Sequence, residues 1–225
     1  MTSHPKHTAN ARTLLSLTCL VFTLAAASCQ SPQSPRPRRT IRYDGLGPIP
    51  IASPGRAGIQ QLVTFFTQTN PDIDPHQLRY IAYVYISEAA AEGINHDVAF
   101  CQMVHETNYL RFGGDVDPSQ NNFCGLGATG GVPGLSFPSA RIGIRAHIQH
   151  LKAYADIRPL SGPCVDPRFE KVRRGSAPRV DDLTGKWATD PLYGQKLKQK
   201  LSDLEQHLQI DRTALIPAAS PAGTR

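Results

Sequence analysis

Apolar residues recur at helical spacing through most of this chain and alternate with polar ones over no useful length. Between Arg56 and Thr69, Ile59, Leu62, Val63 and Phe66 form the stripe of an amphipathic helix. A second helix is predicted from Asp74-Pro75, an N-cap acid with proline at the first helical position, Gln77 adding a box-like cap. Its inner face is Leu78, Ile81, Ala82, Tyr85 and Ala89, and Gly93 ends it. A third, capped by Asn95 with Asp97 in its first turn, is expected to stop at Gly113-Gly114. Ile94, Val98, Cys101, His105 and Tyr109 share one side of it. Ser139 caps a fourth to about Ala155, with Ile144, Ile148, Leu151 and Ala155 inward. Asp190-Pro191 opens a long last helix carrying Tyr193, Leu197, Leu201, Leu204 and Leu208. Phe123 to Phe137 keeps neither period and is rich in glycine, as a short hairpin or irregular lobe would be. The expected fold class is mainly α, with a small glycine-rich loop or hairpin lobe.

The ends of the chain read differently. Met1 to Arg12 carries Lys6 and Arg12 but no acid, and Leu14 to Ala27 is an uncharged apolar run closing on small residues. That is the plan of an export signal over 1–28, too short for the about 20 residues of a membrane span. Leu24-Ala25-Ala26-Ala27-Ser28-Cys29 resembles the lipobox of bacterial lipoproteins, with Ala26 where leucine is usual. The resemblance implies that Cys29 is lipidated and that the protein sits in the cell envelope, periplasm-facing or anchored to the outer membrane by its N-terminal lipid. Residues 29–55, with Ser31-Pro32-Gln33-Ser34-Pro35-Arg36-Pro37-Arg38-Arg39, are expected to be an extended linker. The stretch 56–210 suits one compact domain, a monomer, and 211–225 a flexible tail.

Composition adjusts this picture in two places. Of five cysteines, Cys19 lies in the signal and Cys29 is the lipid site, leaving Cys101, Cys124 and Cys164. Export permits one disulfide: Cys124 with Cys164 is preferred because both sit in loops, and Cys101 with Cys124 is the alternative. The net charge of +6 favours an acidic or polyanionic neighbour such as cell wall. Its excess is concentrated in the linker and in Lys171 to Arg179, not interleaved with aromatics, so nucleic acid is not an expected partner.

Candidate chemistry centres on Glu106. At about 100° per residue it lies roughly 100–120° from the middle of its helix's apolar stripe, at the border of the buried face. Apolar surroundings and a helix C-terminal end both favour the protonated carboxyl. A proton held at neutral pH is what the leaving oxygen of a glycosidic bond requires. His105-Glu106 lacks the second histidine of the zinc protease signature, since Tyr109 stands there, and His105 is expected to make a core hydrogen bond. His147 and His150, three apart without an evident third ligand, read as a polar helix flank. No Gly-x-Ser-x-Gly elbow and no phosphate-binding loop is present, and no metal or cofactor is expected.

Glu106 at a helix end, Asn121-Asn122-Phe123-x-Gly125, Phe137, the helix of Gly143 to Tyr154 and the closing Trp187-Ala188-Thr189-Asp190-Pro191-x-Tyr193 together resemble the bacterial glucosaminidase family of peptidoglycan hydrolases. The resemblance implies a lysozyme-like α fold and hydrolysis of the β-1,4 bond after N-acetylglucosamine in peptidoglycan glycan strands, without a metal. By position it makes Glu106 the general acid and Tyr193 the site tyrosine. Asn121, Asn122, Phe123, Gly125 and Trp187 become candidates for the sugar groove. Many family members place a second acid in the lobe, whereas Thr129 to Gly143 contains none. Asp117, beside the rigid Pro118, is then the candidate for activating water. Assistance from the substrate's own acetamido group, oriented by Tyr193 and Asn122, is the other route. A muramidase or lytic transglycosylase on the same scaffold, or a wall-binding lipoprotein without catalysis, remain the alternative readings.

Overall fold

The computed structural model describes Tyr43 and residues 47–214, with side chains through Leu208. The expected signal over 1–28 and the lipid site Cys29 lie outside the described residues. Regular structure consists of α1 (Ile59–Thr67), α2 (Pro75–Glu92), α3 (His96–Glu106), α4 (Ala140–Ala155) and α5 (Tyr193–Ala214). Short 3₁₀ turns occur at Pro118–Gln120, Phe169–Lys171 and Val180–Leu183. The domain is mainly helical, consistent with a lysozyme-like helical domain.

The start signals act as their chemistry requires. Asp74 accepts the His76 N–H (3.0 Å), Asn95 those of Asp97 (3.0 Å) and Val98 (3.3 Å), and Ser139 that of Ile142 (3.3 Å). Each oxygen satisfies backbone donors that a helix start leaves unpaired. α2 lies at the centre, packed on α1, α3 and α4, while α5 closes the far side against α1 and α3. The expected stripes supply the core: Leu62, Val63, Phe66, Leu78, Ile81, Tyr85, Val98, Ile144, Ile148, Leu151, Leu197, Leu201 and Leu204 are all buried.

Three departures matter. α3 ends at Glu106, well before the glycine pair at 113. Asn108, Tyr109, Leu110 and Phe112 then take left-handed backbone angles (φ 48–58°), at a cost of order 1 kcal/mol each. Tyr109 still reaches the core, its ring 5.4 Å from that of Phe66, and that packing holds the left-handed coil in place. The glycine-rich lobe contains isolated bridges at Gly113–Val116 and Thr129–Val132 but no strand, so it is an irregular loop and not a hairpin. Finally, the folded body begins before the expected boundary at residue 56. Tyr43, Ile49 and Ile51 are buried, and Ile51 N donates to Pro178 O (3.0 Å) as Val180 N does to Ile49 O (3.0 Å). At the other end, α5 runs to Ala214, into the segment expected to be a tail. Among the described residues, no helix is long and apolar enough to cross a membrane.

Candidate active site

Glu106 is the last residue of α3, half-buried, with its carboxyl facing the closing segment 184–193. Trp187 Nε1–H donates to Glu106 Oε1 at 3.1 Å, and the Tyr193 hydroxyl donates to the same oxygen through a short hydrogen bond. Oε2 has no hydrogen-bond partner among the described residues and lies on the Gly125 side. A Cβ built on Gly125, whose φ is +67°, would stand 3.9 Å from it. Burial holds the Glu106 carboxyl above its ordinary range, while the bonds from Tyr193 and Trp187 pull the other way. With Oε1 already accepting twice, Oε2 is the oxygen left to carry the proton.

Behind Tyr193 runs a buried chain of polar groups. Gln102, one turn before Glu106 on α3, donates its amide N–H to the Tyr193 oxygen (2.7 Å), so the tyrosine's own proton points to Glu106. Gln102 Oε1 is 3.0 Å from His147 Nε2, and His147 Nδ1 is 3.0 Å from the Tyr85 hydroxyl. Both ring nitrogens of His147 are thus engaged. Burial drives its pKa down to about 3, so the ring is neutral: Nε2 carries the proton toward Gln102, and Nδ1 accepts from Tyr85. His147 is a core residue, not the polar flank expected of it. His150 pairs instead with buried Asp166 (2.7 Å). Trp187 stands against α4, its ring 5.7 Å from His147, 5.1 Å from His150 and 5.7 Å from Tyr154. His105, expected to hydrogen-bond in the core, presents its ring edge to Tyr193 (5.5 Å) and makes no side-chain hydrogen bond among the described residues.

The remaining candidates divide. Tyr193, Trp187 and Gly125 gather around Glu106. Asp117 does not: it is exposed, accepts the Ser119 N–H (2.8 Å) as the cap of the 3₁₀ turn, and lines a separate depression with Gly113, Asp115 and Pro133. Those bonds hold its pKa below the ordinary value, and no carboxylate among the described residues contributes to the Glu106 shift. Asn122 is buried, and its amide is fully used inside the loop: it donates to Leu126 O and Leu135 O and accepts from Leu126 N, each at 2.9 Å. It braces the loop beside Gly125, with both amide hydrogens taken inside the loop. Asn121, at φ +51°, donates to Phe137 O (3.0 Å), and Phe123 is buried with its ring 6.5 Å from Phe112. Both shape the lobe and line a depression with Leu110, Phe112 and Pro118.

The cysteines also depart from expectation. Cys101, Cys124 and Cys164 are free thiols, Cys124 buried and Cys164 exposed. Cys124 packs with Leu126, Phe137 and Ala146, whereas the Cys164 sulfur turns to Asp166 O (3.5 Å), so the expected Cys124–Cys164 disulfide is absent.

Sequence reasoning missed Gln102, His147 and Tyr85. Gln102 was legible in principle, because a glutamine one turn from a candidate acid shares its side of the helix. The other two are named only by packing.

Glu106 is thus a half-buried carboxyl with one oxygen accepting two hydrogen bonds and the other on the Gly125 side, on a small helical scaffold. Residues 82–206 match the family described as mannosyl-glycoprotein endo-beta-N-acetylglucosaminidase. An uncharacterized protein of Borreliella burgdorferi is 45% identical over 164 residues, covering 72% of this chain and 80% of that protein. No solved structure matches the chain. The chain belongs to the glucosaminidase family; it is a glycoside hydrolase of peptidoglycan, an endo-β-N-acetylglucosaminidase.

Proposed function

We propose that Glu106 is the general acid of this reaction and that Tyr193 and Trp187 orient it. The observation that carries this is the convergence of both donors on Oε1, which leaves Oε2, on the Gly125 side, as the oxygen free to carry a proton. Oε2 gives its proton to the glycosidic oxygen as the bond from that oxygen to the anomeric carbon breaks. Water adds to the anomeric carbon, and its proton restores Glu106. Asp117 serves the groove's outer loop and not the attack. The acetamido oxygen of the cleaved N-acetylglucosamine bonds to the anomeric carbon first and is displaced by water, a route in which no carboxylate has to act as nucleophile.

On purified cell wall the wild type should release strands with reducing N-acetylglucosamine ends, and Glu106→Gln should lose 10²–10⁴-fold in kcat, the usual contribution of general acid catalysis. Anhydro-muramic ends would instead identify a transglycosylase. Strands de-N-acetylated at the cleaved sugar should resist the enzyme; normal turnover of them would exclude acetamido assistance. The lipobox-like segment further supports lipidation at Cys29 and attachment to an envelope membrane through that lipid. Cys29→Ser should then move the protein from the membrane to the soluble fraction.

A further inference from the structure

The polar chain behind the acid crosses four helices. Tyr85 of α2, His147 of α4, Gln102 of α3 and Tyr193 of α5 each supply one side chain, and all four are buried. The links measure 3.0 Å from the Tyr85 hydroxyl to His147 Nδ1, 3.0 Å from His147 Nε2 to Gln102 Oε1 and 2.7 Å from the Gln102 amide nitrogen to the Tyr193 oxygen. Tyr193 then meets Glu106 Oε1. The neutral His147 ring carries one proton, so every member can both donate and accept, and the chain has two possible directions.

Those directions differ in where they put the proton of Glu106. In the forward sense Tyr85 donates to Nδ1, Nε2–H to Gln102, the Gln102 amide to Tyr193, and Tyr193 to Glu106 Oε1, which is then an acceptor. In the reverse sense the Gln102 amide turns over and accepts from Tyr193, and Glu106 Oε1 carries the carboxyl proton to donate to Tyr193. That proton faces α5 and not the Gly125 side. The far end decides between the two. Among the described residues His147 Nδ1 is the only hydrogen-bond partner of the Tyr85 hydroxyl, and the Phe100 ring stands edge-on to the Tyr85 ring at 5.7 Å. Reversal makes Nδ1 the donor and strands the Tyr85 proton without an acceptor, a buried loss that disfavours the reverse sense about tenfold or more. Every other member keeps its bonds in either sense.

We infer that Tyr85 is a positioning residue of this reaction: its hydroxyl fixes the direction of the chain and so keeps the Glu106 proton off Oε1 and on Oε2. The inference rests on the reading of Glu106 as the general acid. Tyr85 makes no bond to Glu106 and acts through His147, Gln102 and Tyr193. The titratable neighbours leave that direction alone. Cys124 stands near Glu106, His105 packs its ring on Tyr193, and His150, near His147, is paired with Asp166. None of the three hydrogen-bonds to a member of the chain among the described residues.

The test reads the indole N–H of Trp187, the chain's sole tryptophan and a donor to Glu106 Oε1, by NMR of the full chain across pH. The step that disappears in Glu106→Gln is the titration of Glu106. Tyr85→Phe leaves the ring in the core and gives the proton a second site on Oε1. It should move that step to higher pH by about half a pH unit, roughly a threefold gain in proton affinity. On purified cell wall the same variant should lose about threefold in kcat with KM unchanged, as misdirection of the acid requires. Both effects should vanish in a Tyr193→Phe background, where the chain no longer reaches Glu106. A step unmoved by Tyr85→Phe overturns the inference. So does an equal shift, or an equal loss in kcat, with and without Tyr193→Phe, which is the outcome of a purely structural role. The titration needs no turnover, so the two readings fail separately. A Glu106→Gln enzyme as fast as the wild type removes the catalytic reading and the positioning role with it. An inactive Glu106→Gln beside an unmoved step removes only the part given to Tyr85.

Discussion

Burial, opposed by two hydrogen bonds to one oxygen, sets the acid strength of Glu106. Tyr193 and Trp187 each favour the ionised carboxyl against the burial that raises its pKa. Tyr193→Phe removes one of them, so the pKa of Glu106 should rise and the alkaline limb of the kcat/KM profile should move to higher pH. The rate at the optimum should fall about tenfold or more as the carboxyl loses its fixed orientation. An unmoved limb would show that Tyr193 does not act on the proton. The same burial exacts a cost in stability. A folded-state pKa raised above its unfolded value means that stability is fully present below the unfolded pKa and is lost as pH climbs through the raised one. Glu106→Gln has no such charge to bury. It should therefore exceed the wild type in Tm at neutral pH, by about 2–4 °C if roughly 1 kcal/mol is relieved, and the gap should close in acid. Calorimetry at both pH values checks it.

At the scale of elements, the groove depends on how closely the lobe sits on α4. A Cβ on Gly143 would stand 1.8 Å from the carbonyl oxygen of Asn121, nearer than any side chain tolerates. Gly143→Ala should force the 121–123 backbone off the helix, costing about 1–3 kcal/mol as overpacking does. It should lower activity more than that cost explains, because Asn122 and the 124–129 turn move with it. A Gly143→Ala enzyme with wild-type KM and kcat would show that the lobe's position is irrelevant. Of these elements, helix starts were legible in Asp74, Asn95 and Ser139, since a cap is a local exchange of hydrogen bonds. The end of α3 was not. The usual marker of a left-handed stop is glycine, and here Asn108, Tyr109, Leu110 and Phe112 take that conformation because distant rings hold Tyr109.

For the whole molecule, the segment before α1 is part of the domain. The Tyr43 hydroxyl donates to Asp97 Oδ2 (2.6 Å), Ile49 and Ile51 join the core, and Arg56 pairs with buried Glu205 of α5. A chain starting at Arg56 loses three buried apolar side chains, worth together roughly 5 kcal/mol at 1.5–3 kcal/mol each. It should be unstable or insoluble where one starting at Thr40 folds. Comparable urea midpoints for the two would refute that. With its three described cysteines as free thiols, the domain should melt at the same temperature with and without reductant.

The chain's own pattern determined the five helices, their inward faces, the acid at a helix end and the closing Trp187 and Tyr193, because periodicity, caps and motif order are properties of neighbours in sequence. Tertiary structure alone decided which polar groups meet. It joined Tyr85, His147 and Gln102 to Tyr193, set Asp117 apart from Glu106, turned Asn122 inward and kept the thiols apart. Such pairings arise where separate helices cross, and residue spacing within any one helix carries no record of its partner.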